Sequence, residues 1–142
     1  MADTSLLDAL LTALRRREPG VSQAGAVGAV LDRKLPASGG SGLEAYHRGI
    51  GAAGALRSRL LRMWADYEDA VVSVLAEQAG RPGPDPAMRL AATQLIGVVR
   101  SFISPEVRQL ARDASEAKET VPRTWLEQAV RQVDNGLAHA GS

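Results

Sequence analysis

The sequence predicts an all-α protein, and three observations carry that expectation. Ala, Leu, Arg and Glu dominate a chain in which aromatic residues make up only 4%, and β-branched residues do not cluster in alternating runs. Apolar residues recur instead every three to four positions in several separate segments. One of these segments, Asp85 to Ile103, combines a strong helix start with a long uncharged run. Asp85 is placed to cap and Pro86 takes the first helical position, where a missing N–H costs nothing. No charged residue follows between Leu90 and Val99. Leu90, Ala91, Leu95, Val98, Val99 and Phe102 cover one broad side, and Ala92, Ile96 and Ile103 spread the apolar surface further round. A helix apolar almost all round must be buried on more than one side. One side meets the chain's own core, and the other is expected to meet a second copy. Gly97 in the middle of the run admits a close backbone approach, at a cost in helix propensity.

The remaining elements follow in order. Leu6, Leu7, Leu10, Leu11 and Leu14 keep a helical period, with Asp3, Thr4 or Ser5 as cap. Arg15, Arg16 and Arg17 suit the negative end of its dipole, and Pro19-Gly20 stops it. Ser22 caps a second helix with Val27, Val30, Leu31 and Leu35 on one face, ended by Pro36. Ala37 to Gly42 reads as a flexible connector, and glycines crowd the whole stretch from Gly25 to Gly54. Leu43, Tyr46, His47 and Ile50 form a short amphipathic segment. The long helix comes next: Leu56, Leu60, Met63, Trp64, Tyr67, Val71, Val74 and Leu75 hold the 3.6 period until Gly80. Arg81-Pro82-Gly83-Pro84 is a stiff loop into the uncharged helix. Ser104-Pro105-Glu106 starts another helix with a thin apolar edge at Val107, Leu110, Ala111 and Ala114. The last begins near Val121-Pro122 and carries Trp125, Leu126, Ala129, Val130, Val133 and Leu137. Asn135-Gly136 is expected to interrupt it, and Ala140-Gly141-Ser142 to fray.

Composition narrows the function. The 142 residues are most simply one domain, spanning 1–142, large enough to bury roughly 68–70% of its unfolded surface. A net charge of +1, from 17 basic and 16 acidic residues, is a poor footprint for nucleic acid. The chain has no cysteine, so it has neither a disulfide framework nor thiolate chemistry. Met1-Ala2-Asp3-Thr4 lacks the basic start of a signal peptide. No apolar run reaches the ~18 residues of a membrane span. The expected compartment is the cytoplasm.

From Leu56 to Ile103 the order of segments resembles the C-terminal regulatory domain of TetR-type bacterial transcriptional regulators. The run LRSRLLRMWADYEDAVVSVLAEQAGRPGPDPAMRLAATQLIGVVRSFI carries the resemblance. Met63-Trp64-Ala65-Asp66-Tyr67-Glu68 matches the aromatic–acidic middle of the family's long helix, Pro84-Asp85-Pro86 its loop, and Val130 to Leu137 its valine-rich last helix. The resemblance implies a six- to seven-helix antiparallel bundle that dimerises through a four-helix interface. It also implies an effector pocket between the helices, with binding coupled to DNA release. The family's N-terminal helix-turn-helix reader finds no counterpart ahead of Leu6, so DNA contact is expected only through a domain outside these residues.

Two sets of candidate residues result. For the interface, the uncharged helix and the last helix supply Ala92, Ile96, Val99, Ile103, Leu126, Val130 and Val133, in a self-complementary contact between two copies. The plain alternative is a larger intramolecular core. For a small-molecule effector of mainly apolar character, the candidates are Leu60, Met63, Trp64, Tyr67, Gln94 and Phe102, since ligand sites are largely apolar with a few polar groups. The alternative is ordinary core for the aromatics and an interface hydrogen bond for Gln94. The basic clusters Arg15-Arg16-Arg17 and Arg57, Arg59, Arg62 read as solvated faces, with Arg62 paired to Asp66. His47 and His139 lack the companions of a metal site, and Asp66, Glu68 and Asp69 lack a nucleophilic partner. No nucleophile elbow or phosphate-binding glycine loop is present. The expectation is therefore a non-enzyme without cofactor or metal. A stand-alone helical module that binds another protein is the competing class.

Overall fold

The computed structural model describes residues 5–34, 54–117 and 121–140. Among them every regular element is helical: α1 (Ser5–Arg15), α2 (Gln23–Lys34), α3 (Gly54–Gln78), α4 (Pro86–Phe102), α5 (Pro105–Ala117) and α6 (Val121–Ala140). The short amphipathic segment Leu43–Ile50 with His47, and the connector before it, lie outside the described residues, as does the side chain of His139. None of the described helices is long and apolar enough to cross a membrane.

Local chemistry fixes the ends. Pro19 and Gly20 occupy the centre of a turn closed by the Val21 N–H on the Glu18 carbonyl at 3.1 Å, with Gly20 at φ 92°. That is the proline–glycine pattern of a type II turn. Ser22 caps α2, its Oγ accepting from the Gly25 N–H at 2.9 Å, which satisfies one of the helix's free donors. α3 ends at Gly80, φ 66°. There the Arg81 N–H reaches the Ala76 carbonyl at 3.0 Å and the Gly80 N–H that of Glu77 at 3.1 Å. These are the paired bonds of a Schellman motif, which need a left-handed residue at that position. Asp85 caps α4 by accepting from the Met88 N–H at 2.8 Å, with Pro86 in the first turn. α6 runs through Asn135 and Gly136 to Ala140 without a break. The expected interruption is absent because Gly136 lies against α4, a Cβ there standing 3.6 Å from Gln94 Nε2; tertiary packing outweighs glycine's weak helix propensity.

α4 is the hub of the packing and touches α2, α3, α5 and α6. Its buried residues are Ala91, Ala92, Leu95, Ile96, Val98, Val99 and Phe102. α1 closes over α2 and α3 through Leu10 and Leu14, both essentially inaccessible. Gln78 of α3 donates to the Leu14 carbonyl and so satisfies the end of α1. Among the described residues no polar or charged residue is fully buried. Charge is confined to the outside, where Arg89 of α4 lies 2.9 Å from Asp69 and 3.5 Å from Glu68 of α3. Glu68 also accepts from Thr93. The expected Arg62–Asp66 pair does not form, and both residues are exposed.

α2 and α6 meet at unusually short range. A Cβ on Gly28 would stand 2.7 Å from Val130 Cγ2, closer than carbon atoms pack, since optimal separation is roughly 3.5–4.0 Å. Ser22 adds a polar latch, donating to Asp134 Oδ2 of α6 at 2.9 Å. This also brings a carboxylate to the positive end of α2. Gly28→Ala is expected to destabilise the chain by about 1–3 kcal/mol through overpacking. A second change, Val130→Ala, should recover much of that loss, giving strong non-additivity in urea-unfolding midpoints. Additive losses would show that the contact does not set the helix spacing.

Candidate functional site

α4 turns different stripes of its surface toward different neighbours. Arg89 and Thr93 bond to α3, and the Arg100 guanidinium lies 5.8 Å from the ring centroid of Trp64 on the same helix. These residues recur at the helical period and mark the α3-facing stripe. Gln94, Gly97, Val98 and Ser101 form the next stripe round, toward α6.

On the α3 side, Trp64 and Tyr67 are buried and meet edge to face, with ring centroids 5.4 Å apart and planes at 76°. Such pairs contribute about 0.5–1.5 kcal/mol beyond their buried area. Leu60 and Met63 are half-buried on the same helix. Arg100 is exposed and adds a cation over the indole face, a contact worth roughly 0.5–1 kcal/mol at such a site. The six residues expected to gather round an effector therefore divide. Leu60, Met63, Trp64 and Tyr67 stand together on α3. Gln94 belongs to the α6-facing stripe of α4, and Phe102 sets its ring 6.2 Å from that of Trp125 on α6. The long helix's period identified its aromatic face, but the rotation of α4 about its own axis separates Gln94 from it.

Two open grooves flank α6. The first, of about 450 Å³, runs between α2 and α6 and is lined by Gly25, Gly28, Ala29, Asp32, Leu126, Glu127, Val130 and Arg131. The second, of about 460 Å³, runs between α4 and α6. Gln94, Gly97, Val98 and Ser101 form one wall, and Trp125, Ala129, Gln132, Val133 and Gly136 the other. None of the described residues lining this second groove is charged. A Cβ placed on Gly97 would meet nothing within 4 Å, so no described neighbour requires a glycine there. The Gln94 Oε1 is shut off from solvent and has no hydrogen-bond donor.

This arrangement corrects the expected interface residues. Ala92 and Val99 are 0% exposed, Ile96 and Leu126 4%, and Ile103 6%. All five are covered largely by the chain's own helices, Leu126 keeping an edge on the α2/α6 groove. Val130 faces the α2 groove beside Gly28. Only Val133 of the expected set opens into the α4/α6 groove. Helical periodicity identified which residues of α4 are apolar, and the intramolecular core claimed most of them. Ser101 and Gln132 carried too little hydrophobicity to attract attention, Ala129 was read only as part of the last helix's apolar stripe, and Gly136 only as a break in it. Their signal was spacing: positions 125, 129, 132 and 136 fall on one stripe of small or neutral residues.

Comparison with known proteins finds no match, whether to a family model, a curated protein or a solved structure. The resemblance to TetR-type regulatory domains stands on the residue pattern alone.

The core face of α4 and the α6 wall of the groove respond differently to a charge. Ile96→Asp places an unpaired carboxylate in the core and is expected to cost about 3–5 kcal/mol, seen as loss of helical circular dichroism at ambient temperature. Ala129→Glu points into an open groove, and the helical signal should be retained. A folded Ile96→Asp protein would contradict this assignment of faces.

Proposed function

We propose that the chain is the effector-binding and dimerisation domain of a TetR-type transcriptional regulator. The observation that carries the reading is the α4/α6 groove. It is uncharged, it holds a glycine with open space beside it, and it contains a buried amide oxygen lacking a donor. Interface cores are depleted of charge and need their polar groups paired. A second copy seated there would fill the space and build an intermolecular bundle from α4 and α6 of both subunits.

The sensing part rests on the neighbouring, α3-facing stripe of α4. Leu60, Met63, Trp64 and Tyr67 are the apolar and aromatic candidates for a small, mainly apolar molecule, which would have to part α3 from its neighbours to reach the buried Trp64 and Tyr67. A ligand wedged against that surface shifts α3 relative to α4, and α4 also forms the pairing face. A ligand that prefers one arrangement of α3 and α4 therefore biases the angle between subunits. In a regulator of this type that angle sets the spacing of two DNA-reading domains, and effector binding releases DNA. No reaction, cofactor or metal enters the proposal.

The competing reading, a module that docks a different protein in the same groove, is separated by native mass spectrometry of the purified chain. The expected species is a dimer at twice 15.0 kDa, with Ala129→Glu giving a folded monomer. A parent chain that is monomeric at micromolar concentration would favour the heterologous partner. For the sensing surface, titration with the apolar fluorophore anilinonaphthalene sulfonate should quench tryptophan emission, and Trp64→Phe should abolish most of that response. An unchanged response in Trp64→Phe would remove Trp64 from the site.

A further inference from the structure

We propose that Asn135 is a self-modification site: when the end of α6 parts from α4, its side-chain amide is lost to attack by the Gly136 backbone nitrogen, and the product no longer fits the helix. Neither the dimer nor the effector reading is needed for it.

Asn135 is the only asparagine in the chain, and a glycine follows it. In such a pair the glycine nitrogen attacks the carbonyl carbon of the asparagine side chain. A carbon–nitrogen bond closes a five-membered succinimide, and the side-chain nitrogen leaves as ammonia, taking the proton of the attacking N–H. Water then opens the ring at either carbonyl and leaves aspartate or isoaspartate. Water is the only co-reactant, and Asn135 and Gly136 are both exposed to it. Glycine carries no Cβ to crowd its own nitrogen, so the attack is less hindered here than before any other residue.

The helix opposes this reaction. In an α-helix the N–H of 136 is engaged by the carbonyl of 132, and a helical ψ of about −42° holds residue 135 away from the torsion that ring closure needs. At this place the helix depends on tertiary contact. Asparagine and glycine are both poor helix formers, and α6 ends about one turn later, at Ala140, where terminal carbonyls lack partners. Two contacts hold the turn, one on each side of Asn135. Ser22 Oγ of α2 donates to Asp134 Oδ2 at 2.9 Å. Gly136 lies against α4, its Cβ position 3.6 Å from Gln94 Nε2. Helix ends open readily unless they are held in this way, so the rate of amide loss measures how often the two contacts release.

The product changes the fold locally. Either form sets a second carboxylate beside Asp134, near the negative end of the α6 dipole. Isoaspartate also adds a carbon to the main chain, which puts each following N–H out of step with the carbonyl four residues before it. The Gly136 corner of the α4/α6 groove then does not re-form, and a transient opening becomes permanent.

The test ages the purified chain in mildly alkaline buffer, folded and in urea. Conversion at residue 135 is followed by peptide mass mapping, and isoaspartate by isoaspartyl methyltransferase labelling. The folded chain should convert at least about tenfold more slowly than the unfolded one. Ser22→Ala, checked for folding by circular dichroism, should speed conversion of the folded chain by about threefold or more. Gly136→Ala should slow the reaction in urea, where only the chemistry of the pair is read. Aged isoaspartate protein, separated by anion exchange, should exchange the amide hydrogens of the last turn of α6 faster than fresh protein. Three results would overturn the proposal. The first is a folded chain that stays unconverted after the unfolded chain has reacted completely. The second is equal rates in the two states, which would mean that α6 gives no protection. The third is a folded Ser22→Ala protein that converts at the parent rate, which would remove the contact with α2 as a guard.

Discussion

An uncharged helix of this length has to be wrapped, and the rest of the structure depends on how that is done. From Leu90 to Val99, α4 offers no charged side chain to water. Leaving such a surface exposed would forfeit about 25 cal/mol for each Å² of apolar area not buried. Four helices cover it: α3 along one side, α2 and α6 along others, and α5 near its end. Ala91, Ala92, Leu95 and Val99 form the buried line they share. Small residues in that line let the surrounding helices come close, and among the described residues the one buried polar side-chain atom without a partner is Gln94 Oε1. Leu90 stays half exposed at 49%, just past the capped N-terminus where the neighbours part.

The covering is incomplete because α6 is held elsewhere. Gly28 allows α2 to approach Val130 more closely than any other residue would, and the Ser22–Asp134 hydrogen bond fixes the same pair of helices. Drawn against α2, α6 spans the α4 surface without closing over it, and the stripe through Gln94, Gly97 and Ser101 stays open. The functional reading follows from this geometry. One stripe of α4, carrying Arg89, Thr93 and Arg100, faces α3 and its aromatic pair, and the next stripe round faces the groove.

Much of the helix architecture was legible in the residues. Asp85-Pro86 marked the start of α4, Ser22 that of α2, Pro19-Gly20 and Gly80 the stops. Each acts through local backbone chemistry that needs no distant partner. The candidate site was legible only in part. Trp64 and Tyr67 were identified by their period on the long helix and do lie together. Gln94 was identified for its neutrality in an apolar run, but it faces a different neighbour. Asn135-Gly136 looked like a helix end because propensity disfavours both residues, yet contact with α4 carries the helix past them.

The sequence by itself determined the class of the protein: which segments are helical, where the caps fall, and that one helix must be enclosed. Those are properties of spacing and of neighbours along the chain. Only the tertiary structure decided which apolar residues the chain covers with its own helices and which it leaves facing a groove. Ala92, Ile96 and Val99 read in sequence like Val98 and Gly97, since helical periodicity groups residues by face and says nothing about which helix lies opposite. The close contact of α2 with α6 at Gly28 and Val130 belongs to that packing, and no spacing along the chain announces it.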